Sequence, residues 1–324
     1  MHYDVFNGDA DGIIALLQLR LNEPKISKLI TGVKRDIKLL GKIASQDDVT
    51  SVTALDISME KNSPALEQIL ERNIPVFYCD HHRSGDIPQS ELLTALIDLD
   101  AEVCTSLLIN QYLNCQYVYW AIAAAFGDNL YKPAERMAQE YGLSEQATAY
   151  LKELGTLINY NGYGSDLADL HISPADLYQQ LIKFENPFEL LDTPESPFFI
   201  LKKGYELDYA EVNAVSPCFS DEVCEVYELP SEKWARRISG VYGNELANNN
   251  PDKAHAVLTL NPNGEDYTVS VRAPLNNRTG ADELCCQFAT GGGRKAAAGI
   301  NHLPVADKEK FISALHSFYE ERVL

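Results

Sequence analysis

The stretch Pro75–His82 reads PVFYCDHH, a short apolar run that ends in an acid and two histidines. Its length and its aromatic and β-branched content are typical of a buried strand. Comparable runs lie at Tyr3–Phe6, Lys28–Gly32 and Ser51–Asp56, with amphipathic stretches between them. Apolar runs that alternate with helical patterns are typical of βαβ units, so we predict an α/β fold with a parallel sheet in the N-terminal part.

The chain is expected to divide where prolines interrupt it. Asn186–Pro197 holds three prolines in twelve positions, which argues against regular structure across that segment. We therefore expect an N-terminal domain over residues 1–190, a linker with a connecting helix over 191–222 and a smaller α/β domain over 223–324.

The C-terminal part has a strand pattern of its own. Ala254–Leu260 and Tyr267–Ala273 are rich in β-branched residues, and the turn sequence NPNG at residues 261–264 lies between them. We predict two adjacent strands there, preceded by the connecting helix at about Phe198–Val215.

The balance of charge excludes some classes of protein. The 324 residues include 27 Lys and Arg against 47 Asp and Glu, a formal net charge of -20, which excludes a basic nucleic-acid coat protein. The N-terminus lacks the pattern of a signal peptide, and the longest apolar run, Val118–Phe126, spans nine residues against roughly 20 for a membrane helix. We expect a soluble, cytoplasmic protein with no membrane partner and with its seven cysteines reduced.

Four acidic or histidine-bearing clusters stand at the expected carboxyl ends of predicted strands. They are NGDADG at residues 7–12, Asp56, the triplet Asp80–His82, and Asp128. Open parallel sheets place ligands at the carboxyl ends of their strands, so we expect these side chains to converge. Carboxylate oxygens and imidazole nitrogens suit a hard or borderline ion, so the clusters together predict a site for Mn²⁺ or Mg²⁺.

Each cluster by itself also has a structural explanation. The sequence Asp-x-Asp-Gly is common in turns, and Asp128 before Asn129 can cap a helix. The triplet Asp80–His82 is the strongest single signal, because an acid and two imidazoles at the end of a buried strand are costly to bury without a function. The joint occurrence of all four clusters favours metal binding.

On these residues the sequence resembles the DHH-superfamily phosphoesterases that carry a DHH-associated C-terminal domain. The residues that match the family's metal motifs are Asp9, Asp56, Asp80, His81, His82 and Asp128. The resemblance implies that a metal-binding catalytic domain is followed by a substrate-binding domain, with the active site in the cleft between them. The metal ligands implied are Asp9, Asp56, His81 and Asp128, and the implied catalytic residues are Asp80, which orients His81, and His82, which faces the substrate phosphate.

The resemblance continues in the C-terminal part. Gly291–Gly299 reads GGGRKAAAG and resembles the family's GGGHxxAAG segment, and Ser270-Val271-Arg272 resembles its substrate-contacting Ser-x-Arg strand. The residues expected to bind substrate are Arg272, Arg278, Gly291, Gly292, Gly293 and Arg294, with solvated surface as the alternative for the exposed charges.

Two departures from the family pattern change the expected chemistry. Asn7 stands where relatives carry the first acid of Asp-x-Asp, and Tyr3 stands where some carry a histidine, so one of two ions is expected to bind weakly. Asp11 is a further candidate ligand. Arg294 stands where the family has His and would clamp a phosphate without shuttling protons; we expect it to precede a helix whose N-terminus favours anions.

The preferred hypothesis is a phosphodiesterase or exonuclease that uses one or two ions, Mn²⁺ or Mg²⁺, and metal-activated water to hydrolyse short single-stranded oligonucleotides. The net charge of -20 disfavours long polyanions. The alternatives are a phosphomonoesterase or pyrophosphatase acting on small nucleoside phosphates, and a weakly active nucleotide-binding homologue. The sequence does not indicate the oligomeric state.

Overall fold

A computed structural model of the chain describes residues 1–323, with the side chains of residues 1–321. Clustering of contacts divides it into two compact units, Met1–Gly204 and Tyr205–Leu324. The division falls inside a helix at Pro197–Val212. In the described part, no helix is both long and apolar enough to span a bilayer.

The first unit is built on one parallel sheet. Its strands are β1 (His2–Phe6), β2 (Ser27–Ile30), β3 (Ser51–Leu55), β4 (Val76–Asp80) and β5 (Leu93–Ile97). All neighbours are parallel, and the strand order is β2-β1-β3-β4-β5. Because parallel strands share one carboxyl edge, the segments that follow them lie along the same edge of the sheet.

The parallel sheet predicted from the apolar runs is confirmed, and four strands lie within two residues of their predicted bounds. The fifth strand, β5, was not predicted. It is an edge strand of five residues that is partly exposed along its length.

Eight helices surround or follow this sheet. They are α1 (Ala10–Asn22), α2 (Met59–Glu71), α3 (Thr105–Tyr112), α4 (Val118–Gly127), α5 (Tyr131–Glu140), α6 (Glu145–Asn161), α7 (Pro174–Leu181) and α8 (Pro197–Val212). Helix α1 is buried from Ala10 to Arg20, because α3, α4, α6 and α7 pack around it. The apolar run at Val118–Phe126 is the helix α4, so the expectation that Asp128 follows a strand is wrong.

The second unit is a mixed sheet with its own core. Its strands are β6 (Phe219–Ser220), β7 (Cys224–Leu229), β8 (Ala254–Leu260), β9 (Asp266–Arg272), β10 (Gly291–Gly293) and β11 (Ala297–Pro304), in the order β10-β11-β9-β8-β7-β6. Only β7 and β8 are parallel among these described strands. The predicted strands at β8 and β9 are confirmed, and the Gly264 amide donates to the Asn261 carbonyl in the turn between them. The helices are α9 (Lys233–Asn249), α10 (Ala281–Cys285) and α11 (Lys308–Val323).

Candidate metal centre

Asp80 is the last residue of β4, and His81 and His82 follow it directly with their side chains directed to different partners. Asp80 and His82 lie together, with the His82 Nδ1 2.7 Å from the Asp80 Oδ1. His81 points the other way, and its Nδ1 lies 2.8 Å from the Val103 carbonyl oxygen. The expectation that Asp80 orients His81 is therefore wrong, because Asp80 holds His82.

The second ring nitrogen of His81 faces three carboxylates from three different elements. The His81 Nε2 lies 3.5 Å from Asp56, 3.8 Å from Asp11 and 3.9 Å from Asp128. The His81 Nδ1 contact with a carbonyl requires the proton on that nitrogen, so in a neutral His81 the Nε2 carries the lone pair and can bind a metal ion. Two ligand atoms that each lie about 2.1 Å from one ion are about 3 to 4 Å apart, which is the spacing found here.

Asp56 follows β3 in a left-handed backbone conformation, with a φ of 56°. Its amide donates to the Cys79 carbonyl, and its Oδ1 accepts a hydrogen bond from the Thr105 hydroxyl at 3.1 Å. Burial, followed by the negative charges of Asp11 and Asp9, raises the pKa of Asp56 well above its ordinary value. The cause is an excess of buried acids, which a divalent cation would relieve.

Asp11 holds the N-terminus of α3. Its two carboxylate oxygens accept hydrogen bonds from the backbone amides of Thr105 and Ser106, both at 2.7 Å. A carboxylate at this position satisfies amides that have no partner within the helix and favours the positive end of the helix dipole. Asp11 thus lies beside His81 but has a structural role that the Asp-x-Asp-Gly sequence did not reveal.

Asp9 is the N-cap of α1, and its charge already has a partner. Its Oδ1 accepts from the Gly12 amide at 3.1 Å, and its Oδ2 lies 2.5 Å from the Lys34 Nζ. Gly12 is required there, because a Cβ atom would lie 2.3 Å from the Asn7 carbonyl oxygen. Burial alone would raise the pKa of Asp9, but Lys34 lowers it to about 2.

Lys34 is the site residue that the sequence reading missed. Besides Asp9, its ammonium contacts the Asn159 Oδ1 at 2.9 Å and lies 5.3 Å from the centre of the Tyr163 ring. Burial favours the neutral amine, but the charge of Asp9 outweighs burial and raises the pKa of Lys34. The available signal was its position, since Lys34 follows β2 and so lies at the carboxyl edge that carries the acids.

Two buried oxygens test whether the site fits a cation. The Asn7 Oδ1 and the Asp80 Oδ2 are buried and accept no hydrogen bond from the described residues. Ligand atoms of Asp56, His81 and His82 lie within 4.8 Å of one another. The Asp80 Oδ2 belongs to the group of clustered carboxylates and imidazoles, which fits a divalent ion with oxygen and nitrogen ligands.

Asp128 reaches this cluster from a helix end. It is the C-cap of α4, and its amide donates to the Ala124 carbonyl at 2.8 Å. Asp128 therefore ends α4 through its backbone, and its carboxylate lies 3.9 Å from the His81 Nε2.

In the second unit, Arg272 is buried and tied to its own unit. The guanidinium donates to the Asn244 side chain at 2.5 Å and to the carbonyls of Gly240 and Val271, both at 3.1 Å. These bonds use three of its five donors. Arg272 therefore links β9 to α9.

The glycine-rich segment is a hairpin. Gly291–Gly293 forms β10, antiparallel to Ala298–Ile300 of β11, and Gly293 has a φ of 147° with no room for a Cβ beside Ala298. The alanines after Arg294 enter a strand, so the expectation of a helix N-terminus there is wrong. The side chains of Arg278 and Arg294 are exposed.

Comparison with known proteins gives matches in structure alone. No model of a protein family matches the chain, and no curated protein matches it by sequence. The exonuclease RecJ bound to manganese superposes with a TM-score of 0.62 at 15% identity, over 98% of this chain and 90% of that one. RecJ from Thermus thermophilus in complex with Mn²⁺ gives 0.66 at 16% identity, over 99% of this chain. This chain spans about half of that protein, 52% of its length.

A third similar structure is the pGpG-specific phosphodiesterase PggH from Vibrio cholerae, with a TM-score of 0.55 at 14% identity over 99% of both chains. All three are DHH-superfamily proteins, and the likeness extends through both units. The chain therefore has the fold of the DHH superfamily.

Proposed function

We propose that the chain is a divalent-metal-dependent phosphoesterase that hydrolyses short single-stranded oligonucleotides. The observation that supports this most directly is the position of the His81 Nε2, 3.5 to 3.9 Å from three carboxylates. Buried carboxylates this close together need a positive charge among them, which a divalent ion bound to the Nε2 of neutral His81 would supply. The proposed ligands are Asp56, His81 and Asp128, with Mn²⁺ preferred over Mg²⁺ because one donor is a nitrogen.

A bound divalent ion would lower the pKa of a water molecule and neutralise charge on phosphoryl oxygens. The residues of the chain orient the groups that contact the substrate. Asp80 accepts the Nδ1 proton of His82, so the Nε2 of His82 is the free ring nitrogen, and in the imidazolium form it donates to a phosphate oxygen. The His82 side chain is 27% exposed, whereas that of Asp80 is fully buried, so His82 is the member of the pair that a substrate can reach.

The second unit is proposed to bind the rest of the substrate. Arg278 and Arg294 are exposed and bear the planar donor groups that match phosphate oxygens. Gly291, Gly292 and Gly293 leave backbone beside Arg294 that side chains do not cover. Arg272 is proposed to position this sheet, because most of its donors are used within the unit.

Short substrates are favoured for an electrostatic reason. Affinity for a long nucleic acid grows with the number of phosphates that Lys and Arg neutralise, and this chain has a net charge of -20. Two similar folds belong to proteins named as an exonuclease and as a pGpG-specific phosphodiesterase. The same net charge also suits the second candidate, a phosphatase acting on small nucleoside phosphates or pyrophosphate.

A substrate panel tests the proposal. Metal-free protein is loaded with Mn²⁺ or Mg²⁺ and incubated with DNA and RNA from dinucleotides to pentanucleotides, a nucleoside bisphosphate, a cyclic dinucleotide and pyrophosphate. We expect mononucleotides from the short oligomers with Mn²⁺, and no products from Asp56→Asn protein purified in the same way. Phosphate release from the small compounds with intact oligomers would select the second candidate. If no compound is hydrolysed, the result would favour the remaining alternative, a nucleotide-binding homologue with weak activity.

A further inference from the structure

The Asp9 end of the site contains a cation that belongs to the chain. The Lys34 Nζ lies 2.5 Å from the Asp9 Oδ2 and 2.9 Å from the Asn159 Oδ1. The Asp9 side chain is 3% exposed and that of Lys34 is 21% exposed, so the pair is shielded from water on most sides. The ammonium thus lies against the carboxylate that a metal ion at this end of the site would require.

The charge at this end matches that contact. Residue 7 is Asn, so the NGDADG segment contributes a neutral amide beside Asp9 where an acid would add a second negative charge. With Lys34 present, the group of Asn7, Asp9 and Lys34 is neutral overall. Around His81, by contrast, three carboxylates lie within 3.9 Å of one nitrogen. The two ends of one site therefore differ in their need for a divalent cation.

We propose that the Lys34 ammonium replaces one of two divalent ions, so that the chain binds a single ion at Asp56, His81 and Asp128. The inference rests on the proposed function for that single ion. An ammonium offers three donors and one positive charge. Two donors go to Asp9 and Asn159, and the third can reach a phosphate oxygen. Lys34 is therefore a binding and positioning residue, which cannot polarise water as a metal ion does.

The test is the number of ions bound, measured by equilibrium dialysis of metal-free protein with Mn²⁺ and by the Mn²⁺ electron paramagnetic resonance signal. Wild type is expected to bind one ion and to show the signal of an isolated ion. Asn7→Asp protein, which keeps Lys34, is also expected to bind one. The double variant Asn7→Asp, Lys34→Met is expected to bind two, with the weakened signal of a coupled pair. Lys38→Met, an exposed lysine on the same loop, is the matched control and should leave one ion.

Several results would overturn the inference. Two ions in wild type, or a second ion gained by Asn7→Asp alone, would show that Lys34 does not occupy the second position. One ion in a folded double variant would do the same. The Asn7→Asp result needs no change at Lys34, so it decides the question even if Lys34→Met fails to fold. Two bound ions together with hydrolysis in wild type would contradict this inference and still agree with the proposed function. No bound ion in wild type would contradict both the inference and the proposed function.

Discussion

Helix α1 connects two buried polar clusters that differ in how their charges are satisfied. At its last turn, the guanidinium of Arg20 donates to both oxygens of Asp4, from Nε at 3.0 Å and from Nη2 at 2.5 Å. Ser27 and His2 also contact Asp4, at 2.5 and 3.1 Å. At the first turn, Asp11 lies in a group of acids around His81 that includes Asp56 and Asp128. The cluster around Asp4 is complete within the chain, whereas the cluster around His81 is the place where we propose that a cation binds.

This contrast separates buried acids that serve folding from buried acids that serve chemistry. A buried ion pair with all its hydrogen bonds made is a structural element, and removing one partner is costly. Acids held together without a cation reduce the stability of the metal-free fold. When an ion binds, they become its ligands and the repulsion between them is relieved. Four predictions test this contrast.

The largest effect is expected at Asp56. Asp56→Asn should lower turnover on the order of 10³-fold or more, since even the loss of an outer partner of a metal ligand costs about 10- to 100-fold. Because the folded pKa of Asp56 is raised, its charge destabilises the metal-free protein at neutral pH. The variant should therefore melt about 2 to 4 °C higher without metal. Turnover assays and melting curves with a chelator measure both, and a lower melting temperature would contradict the contrast.

Arg20 should show the opposite behaviour. Arg20→Met leaves Asp4 buried without its cation, so the free energy of unfolding should fall by about 3 to 5 kcal/mol. The folded fraction should still bind Mn²⁺ with unchanged stoichiometry, as dialysis at low temperature would show. Arg72→Met is the control, because Arg72 donates to the carbonyls of Ala44 and Gln46, and its loss should cost about 1 kcal/mol. A changed Mn²⁺ stoichiometry in Arg20→Met would couple the two clusters and remove the distinction between them.

Asp80 tests the orientation of His82. Asp80→Asn should lower turnover by about 10- to 100-fold, because the His82 tautomer is no longer enforced, while the number of bound ions stays the same. Asp98→Asn, an exposed acid that follows β5, should change neither quantity. If Asp80→Asn instead abolished ion binding, Asp80 would have to be counted among the ligands.

The smallest effect is expected in the acid stability of the Asp4 cluster. Burial would raise the pKa of Asp4, but hydrogen bonds from His2 and Arg20 lower it from 3.8 to about 2. Ionised Asp4 thus contributes about 2 kcal/mol above pH 3.8, and that stabilisation is lost as the pH falls toward 2. Urea unfolding from about pH 5 to about pH 2 should show a steeper loss in wild type than in Asp4→Asn, Arg20→Met protein. Equal slopes would remove Asp4 as the cause.

The fold and the identity of the acids and histidines at the edge of the sheet could be predicted without coordinates. Four of the five strands in the first unit coincide with short predicted runs that are rich in apolar residues, and the triplet Asp80–His82 follows one of them. Strand spacing and composition are local properties, so the amino-acid order carries them directly. The same reasoning missed β5 and assigned Asp128 to the end of a strand, because an exposed edge strand and a short apolar helix carry weak or ambiguous periodicity.

The partner of each charged group, by contrast, depends on the packing of elements that are distant in the chain. Lys34 meets Asp9 across 25 positions, and Ser106 meets Asp11 across 95. Contacts at such separations depend on how strands and helices pack, and no local pattern encodes them. The distinction between a carboxylate neutralised by lysine and one that is proposed to bind a metal ion arises from that packing.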